Sequence, residues 1–215
     1  VRSAGFCAAR ASDTCALQSL RRLGMLRHVS LLLWVAACGA ASSELSRNGA
    51  PKVDADLFSR QIYTMGVSAQ ERLTRSKVLV IGLGGCGLEL CKNLVLSGVS
   101  SLLLCDESAI CDEDLETLYY GTTEDVDLGS SRADVVKRAL ERLAPAKTCR
   151  IEQLALRGNL EKVLESEEVD VVVLCDRPTG HALRVNELTR RKGVNLVTVN
   201  TRGVFGGLFC DFGDS

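Results

Sequence analysis

From Asp54 onward the chain alternates short, unbroken apolar runs with segments whose apolar residues recur every three or four positions. Lys77 to Ile81, Ser101 to Cys105, Val169 to Leu174 and Leu196 to Val199 are runs of strand length, rich in Val, Leu and Ile. They lack polar alternation, which predicts strands buried on both faces. Residues 149–154 and 204–211 read as two further strands. Leu88, Cys91, Leu94 and Val95 recur at helical spacing and stop at Gly98, a natural helix terminator. Further helices are predicted over 56–64, from Ser131 to about Leu143 ahead of Pro145, over 158–166, and over 179–192 with Gly193 closing it. Ser68-Ala-Gln-Glu71 has the pattern of a capping box, which predicts a helix starting there and ending near Thr74. Unbroken apolar strands separated by helices predict an α/β fold of three layers, a mostly parallel sheet with helices on both faces.

The chemistry suggested by this pattern sits between the first strand and the helix after it. Gly82-Leu-Gly84-Gly85-Cys86-Gly87 is a G-x-G-x-x-G that follows a strand and opens a helix, and Asp106 ends the next strand, ~20 residues on. In that context Gly82 permits a tight turn, Gly84 lets backbone approach a phosphate, and Gly87 lets the helix pack closely on the strand. Unpaired amides and the helix dipole favour an anion at the helix start, and Asp106 is placed to accept hydrogen bonds from a ribose. The fold is therefore read as Rossmann-like and the loop as a nucleotide site, against the alternative of glycines kept only for packing. Two function classes fit: an NAD-dependent oxidoreductase, and an ATP-using adenylating domain.

Residues 1–50 differ from the rest. They hold six arginines, no lysine and two acids, a net of +4, whereas residues 51–215 carry a net of −5. Met25-Leu-Arg-His, the apolar run Val29 to Ala37 and the small residues after Cys38 have the order of a secretory signal. Taken from Val1, the same acid-poor stretch has the character of an organelle transit segment. An over-extended reading of the gene explains it equally well, so residues 1–50 are set apart and the fold is assigned to residues 51–215. The run is too short for a membrane-spanning helix. The net charge of −1 and 4% aromatic content give no basis for nucleic-acid binding. The ten cysteines include no C-x-x-C pair, and with two histidines they form no zinc pattern. Cys105 and Cys175 lie inside apolar runs and are read as small buried hydrophobes.

The residues around the glycine loop carry a family resemblance. Leu57-Phe-Ser-Arg60-Gln61-Ile-Tyr63-Thr-Met-Gly66 resembles the opening segment of ubiquitin-activating enzymes, as does the order G-L-G-G-x-G followed by Lys92 to Val99. Asp125-Val-Asp-Leu-Gly129-Ser-Ser-Arg132-Ala133 is similar to that family's D-(I/V)-G-x-x-(K/R)-A stretch with two residues inserted. Thr201 to Gly213 resembles the end of the first of its two adenylation halves. The resemblance covers residues 56–215 and implies that the segment stops short of the C-terminal end of that half.

The family implies ATP and Mg²⁺ as cofactors of the complete enzyme and ubiquitin or a ubiquitin-like protein as partner. The modifier's C-terminal carboxylate is adenylated and then passed to a cysteine in a separate domain. Usually only the second half is active. Active halves carry Asn and Arg in a stretch that here reads Leu115-Glu116-Thr117-Leu118-Tyr119-Tyr120. Arg132 stands where they have a phosphate-contacting Lys, and Leu174-Cys175-Asp176-Arg177 occupies the turn whose Asp holds Mg²⁺. Arg60 matches an Arg that reaches from the first half into the ATP site of the second. The resemblance thus implies an inactive, structural and regulatory half that partners an active adenylation half, with Gly82, Gly84, Gly85, Gly87, Asp106, Arg60, Arg132 and Asp176 as the site residues. It implies location in cytoplasm and nucleus, unless a genuine leader in residues 1–50 directs the chain to an organelle or the secretory route. A self-sufficient homodimeric adenylyltransferase of the sulfur-carrier type is the alternative. An NAD-dependent oxidoreductase, which needs a substrate domain beyond this length, is the second.

Overall fold

The computed structural model describes residues 53–144, 149–155 and 160–213; the leader assignment for residues 1–50 lies outside them. Six strands form one sheet: β1 (Lys77–Ile81), β2 (Ser101–Cys105), β3 (Arg150–Gln153), β4 (Val171–Cys175), β5 (Asn195–Arg202) and β6 (Phe205–Asp211). Their order is β3-β2-β1-β4-β5-β6. The first five are parallel, and β6 turns back antiparallel along β5. The sequence pattern does not distinguish this last strand from the others. A short turn around Gly203, at φ +59, makes a hairpin where a parallel return would need a crossover.

The helices are α1 (Ser59–Met65), α2 (Val67–Leu73), α3 (Gly85–Ser97), α4 (Asp112–Leu115), α5 (Thr123–Asp127), α6 (Arg132–Leu143), α7 (Leu160–Ser166) and α8 (Thr179–Lys192). Alternate residues of each strand point to opposite faces. Val78, Val80, Leu102, Leu104, Val171 and Val173 join a core with Leu88 and Val95 of α3 and Val136 and Leu140 of α6. Leu79, Ile81, Leu103, Val172 and Leu174 join a second core with Val163 and Leu164 of α7 and Val185 of α8. These two apolar layers are why the strand runs show no polar alternation, and they make the fold Rossmann-like.

Three local expectations change. The helix after Gly66 starts at Val67, not at Ser68, and its N-cap is Gly66 at φ +88 with no side-chain cap. The sharp turn at Gly66 between α1 and α2 brings the chain into the second helix early, so Ser68 lies inside it. The glycine loop is shorter than the motif, because α3 begins at Gly85 and takes in Gly87. Two short helices, α4 and α5, occupy a stretch with no assigned element; α5 is closed by Thr122, whose side chain accepts from the Asp125 N–H. The Ser131 cap of α6 is as expected, its oxygen accepting from the Asp134 N–H at 3.1 Å.

Between β1 and β4 the chain departs to opposite sides, leaving a crevice at the C-terminal ends of these two strands. Gly82 closes β1 at φ +99, and a side chain on it would meet the Cys175 carbonyl at the end of β4, 2.3 Å away. A Cβ on Gly87 would lie 2.1 Å from the Gly82 carbonyl oxygen. The first turn of α3 therefore rests directly on the backbone of the loop. Edge strand β6 is tied down elsewhere: Arg190 of α8 donates to the Asp211 carboxylate at 2.6 Å, and Asp211 also accepts from the Gly213 N–H at 3.1 Å.

Two outcomes follow from this packing. Gly87→Ala is expected to cost on the order of 1–3 kcal/mol, the usual range for overpacking, while Gly84→Ala, with open space around its Cβ, is expected to cost under ~1 kcal/mol; urea midpoints of the two variants check the contrast. The Arg190 hydrogen bond holds the Asp211 carboxyl down at about 2. Its folded value is below its unfolded one, so the contact's stabilisation is complete above the ordinary Asp range near ~4 and is lost as pH falls toward 2. Asp211→Asn is expected to lower stability above pH ~5 and to match the unsubstituted chain near pH ~2, as read by urea unfolding across that range.

Candidate functional site

The crevice between β1 and β4 is walled by the glycine loop, the end of β2, the α4 segment and the turn after β4. Leu88 makes the first helical bond of α3, its N–H donating to the Gly84 carbonyl at 2.9 Å. The amides of Gly85, Cys86 and Gly87 precede it and have no acceptor within the helix. No heavy atom lies within 4 Å of a Cβ built on Gly84, so neither clash nor backbone angle demands glycine there. Gly85 is different: its Cβ position lies 2.7 Å from the Thr117 Cβ. Thr117 therefore lies against the first residue of the helix, where a ligand phosphate would approach.

The segment carrying Thr117 is clasped onto α3. Leu118 is fully buried, and the Tyr119 hydroxyl donates to the Glu89 carboxylate at 3.0 Å. Lys92 donates to the same carboxylate at 2.7 Å. Burial and the Glu89 contact push the Tyr119 phenol up to about 12, so it stays a donor. Glu116 is exposed.

Asp106 is buried at the end of β2, and its carboxylate is engaged on both oxygens. Oδ1 accepts from the Ser108 N–H at 3.1 Å, and Oδ2 accepts from the Leu83 N–H of the glycine loop at 2.9 Å. Oδ2 also accepts from Arg177 at 3.2 Å. Arg132, first residue of α6, approaches the same oxygen at 3.9 Å and donates to Asp114 at 2.8 Å. Burial works to raise the Asp114 pKa, but the Arg132 and Cys111 hydrogen bonds outweigh it and the net displacement is downward.

Asp176 follows β4 with a positive φ of 52°, a conformation Asp tolerates better than most residues. Its carboxylate accepts from both the N–H and the hydroxyl of Thr201, joining the end of β4 to β5. Among the described residues no group of three or more His, Cys, Asp and Glu side chains converges as a metal cluster would. The residues around the crevice do not fit ATP·Mg²⁺. There is open space at Gly84, but Thr117 packs on Gly85, and the Asp106 and Asp176 carboxylates are both engaged by the protein's own groups.

Arg60 lies apart from these residues. It is exposed on α1, and Phe58, just ahead of α1, lies 2.5 Å from where a Cβ on Gly98 would sit. Gly98 caps the far end of α3, a helix of 13 residues, about 20 Å long. The structure thus brings Gly82, Gly84, Gly85, Gly87, Asp106, Arg132 and Asp176 to one end of the sheet, while Phe58, two residues before Arg60, packs at the far end of α3. Arg177 was not singled out from the sequence as a site residue. Its position gave one signal, a cation directly after the acid that ends a strand at the crevice.

Comparison with known proteins agrees with this architecture. The chain is 38% identical over 176 residues to rabbit (Oryctolagus cuniculus) ubiquitin-like modifier-activating enzyme 1, covering 81% of this chain and 16% of that protein. It is 38% identical over 162 residues to mouse (Mus musculus) ubiquitin-like modifier-activating enzyme 7, covering 75% and 16%. The chain thus spans about one-sixth of these relatives. Among solved structures, Escherichia coli MccB with AMPCPP and MccA superposes with a TM-score of 0.57 at 24% identity, over 69% of this chain and 44% of that one, a likeness of fold. Among the described residues no helix is long and apolar enough to cross a membrane. The glycine loop and the five parallel strands fall within residues 58–210, which match the ThiF family model, and the chain belongs to the ThiF family.

Proposed function

We propose that this chain is the first, non-catalytic adenylation-type half of an enzyme that activates ubiquitin or a ubiquitin-like protein, and that it completes the ATP site of a second, active half. The observation that carries the reading is the α4 segment. Where active halves would set Asn and Arg against a triphosphate, this chain lays Thr117 on Gly85 and has Glu116, exposed, just before it. Acyl adenylation builds negative charge around the α-phosphate, and its rate depends on fixed donors and cations aimed at that charge. A neutral side chain over the loop and a carboxylate beside it supply neither.

The position of Arg60 supports the second clause. It follows Phe58, which packs at the end of α3 away from the glycine loop, a helix ~20 Å long, so a role on a triphosphate is read as a role on another module's nucleotide. A guanidinium is suited to that task, with its fixed fork of N–H donors. Apolar residues exposed along the hairpin, Val204, Phe205, Leu208 and Phe209, supply a surface for the partner half. In the assembled enzyme ATP and Mg²⁺ would be held by the active half, and this half's own work would be docking, presentation of the modifier and the lent Arg60.

The open space at Gly84 favours one other reading, a homodimeric adenylyltransferase of the sulfur-carrier type. Exchange of pyrophosphate into ATP separates the two. This chain alone, with a ubiquitin-like protein, is expected to show no exchange and to activate an added catalytic half; exchange by the chain alone would reject the proposal. Arg60→Ala in the reconstituted enzyme is expected to lower exchange by about 10²-fold while the two halves still co-purify; unchanged exchange would remove Arg60 from the site.

A further inference from the structure

We propose that Arg177 is a built-in occupant of the ribose subsite, and that it, rather than the loss of phosphate contacts alone, keeps adenine nucleotides out of this glycine loop. The inference rests on reading the crevice between β1 and β4 as a nucleotide site.

A ribose is held in such a crevice when its hydroxyls donate to a carboxylate at the end of the second strand. Asp106 is that carboxylate, and an ionised carboxylate offers about four lone-pair positions. Leu83 and Ser108 take two with backbone N–H groups, as the fold of the loop requires. The Arg177 guanidinium takes a third at 3.2 Å, and Arg132 stands 3.9 Å from the same oxygen. The Asp106 side chain is left 2% exposed, while that of Arg177 is 29% exposed. The cation therefore forms the outer wall of the pair, between the carboxylate and the crevice.

The body of the Arg177 side chain also occupies the approach. Its Nε lies 3.0 Å from where a Cβ on Gly82 would sit, so the arginine fills the space kept free by the first glycine of the motif. That Nε is buried and has no hydrogen-bond partner. The side chain is held by its end, on Asp106, and by packing on Gly82. An arginine placed to satisfy its own donors would not leave one orphaned; here the orphan lies beside the glycine turn. Asp176, the residue before it, anchors the turn through Thr201 and so fixes where Arg177 emerges. Arg132 does not share the role, because Asp114 draws its guanidinium away toward α4.

The test is calorimetric titration of the full chain with ATP, and separately with inorganic triphosphate, comparing Arg177→Ala, Arg177→Asn and the double variant Arg177→Ala with Asp106→Asn. Urea unfolding confirms that each variant is folded. Both single variants are expected to bind ATP at least ~10-fold more tightly than the unsubstituted chain, a tenfold change being the measure of ~1.4 kcal/mol. Triphosphate affinity is expected not to rise, and the double variant is expected to lose the gain. Unchanged ATP affinity in both single variants would overturn the proposal, and so would a gain shared equally by triphosphate or kept by the double variant. Neither result would touch the reading of the chain as a non-catalytic half, which stands or falls on pyrophosphate exchange.

Discussion

A carboxylate buried at the end of a strand must be paired, because an isolated charge in a low-dielectric interior is far more costly than any single contact. Asp106 meets that constraint by binding four parts of the molecule at once: the glycine loop through Leu83, its own strand end through Ser108, the turn after β4 through Arg177, and the start of α6 through Arg132. The crevice exists in its present shape because these pieces converge on one acid. Removing any one of them leaves charge that the others must absorb.

The glycines of the loop answer to different demands. Gly87 and Gly82 are required by contacts of 2.1 and 2.3 Å with backbone oxygens, whatever else the loop does. Gly84 carries no such requirement. The motif thus combines glycines that packing requires with one that packing does not require. Thr117 and Arg177 lie on different parts of the crevice, the first against Gly85 and the second on Asp106.

The layered architecture was legible from residues 77–81, 101–105 and 169–174, because strands covered on both faces have no polar alternation to obscure them. The Ser131 cap was equally plain, since a hydroxyl followed by an acid three residues on satisfies an orphan amide at short range. The Ser68 start was not, because the chain reversal at Gly66 decides the helix entry and a propensity pattern does not register it. Of the site, the glycines and Asp106 were readable by spacing alone. Arg177 was not, because its partner lies 71 positions earlier in the chain and only the strand order brings them together. Asp114 and Thr201, the protein partners of Arg132 and Asp176, are likewise brought to them by tertiary contacts that spacing does not show.

The hairpin strand has a consequence of its own. Among the described residues β6 pairs only with β5, so its outer side presents a row of backbone donors and acceptors with no partner strand. Phe205, Leu208 and Phe209 stand exposed along it, and no charged residue interrupts the strand before Asp211. Such an edge is a template for strand addition between molecules. Left uncovered, an edge of this kind would favour pairing between copies of the chain, strand against strand.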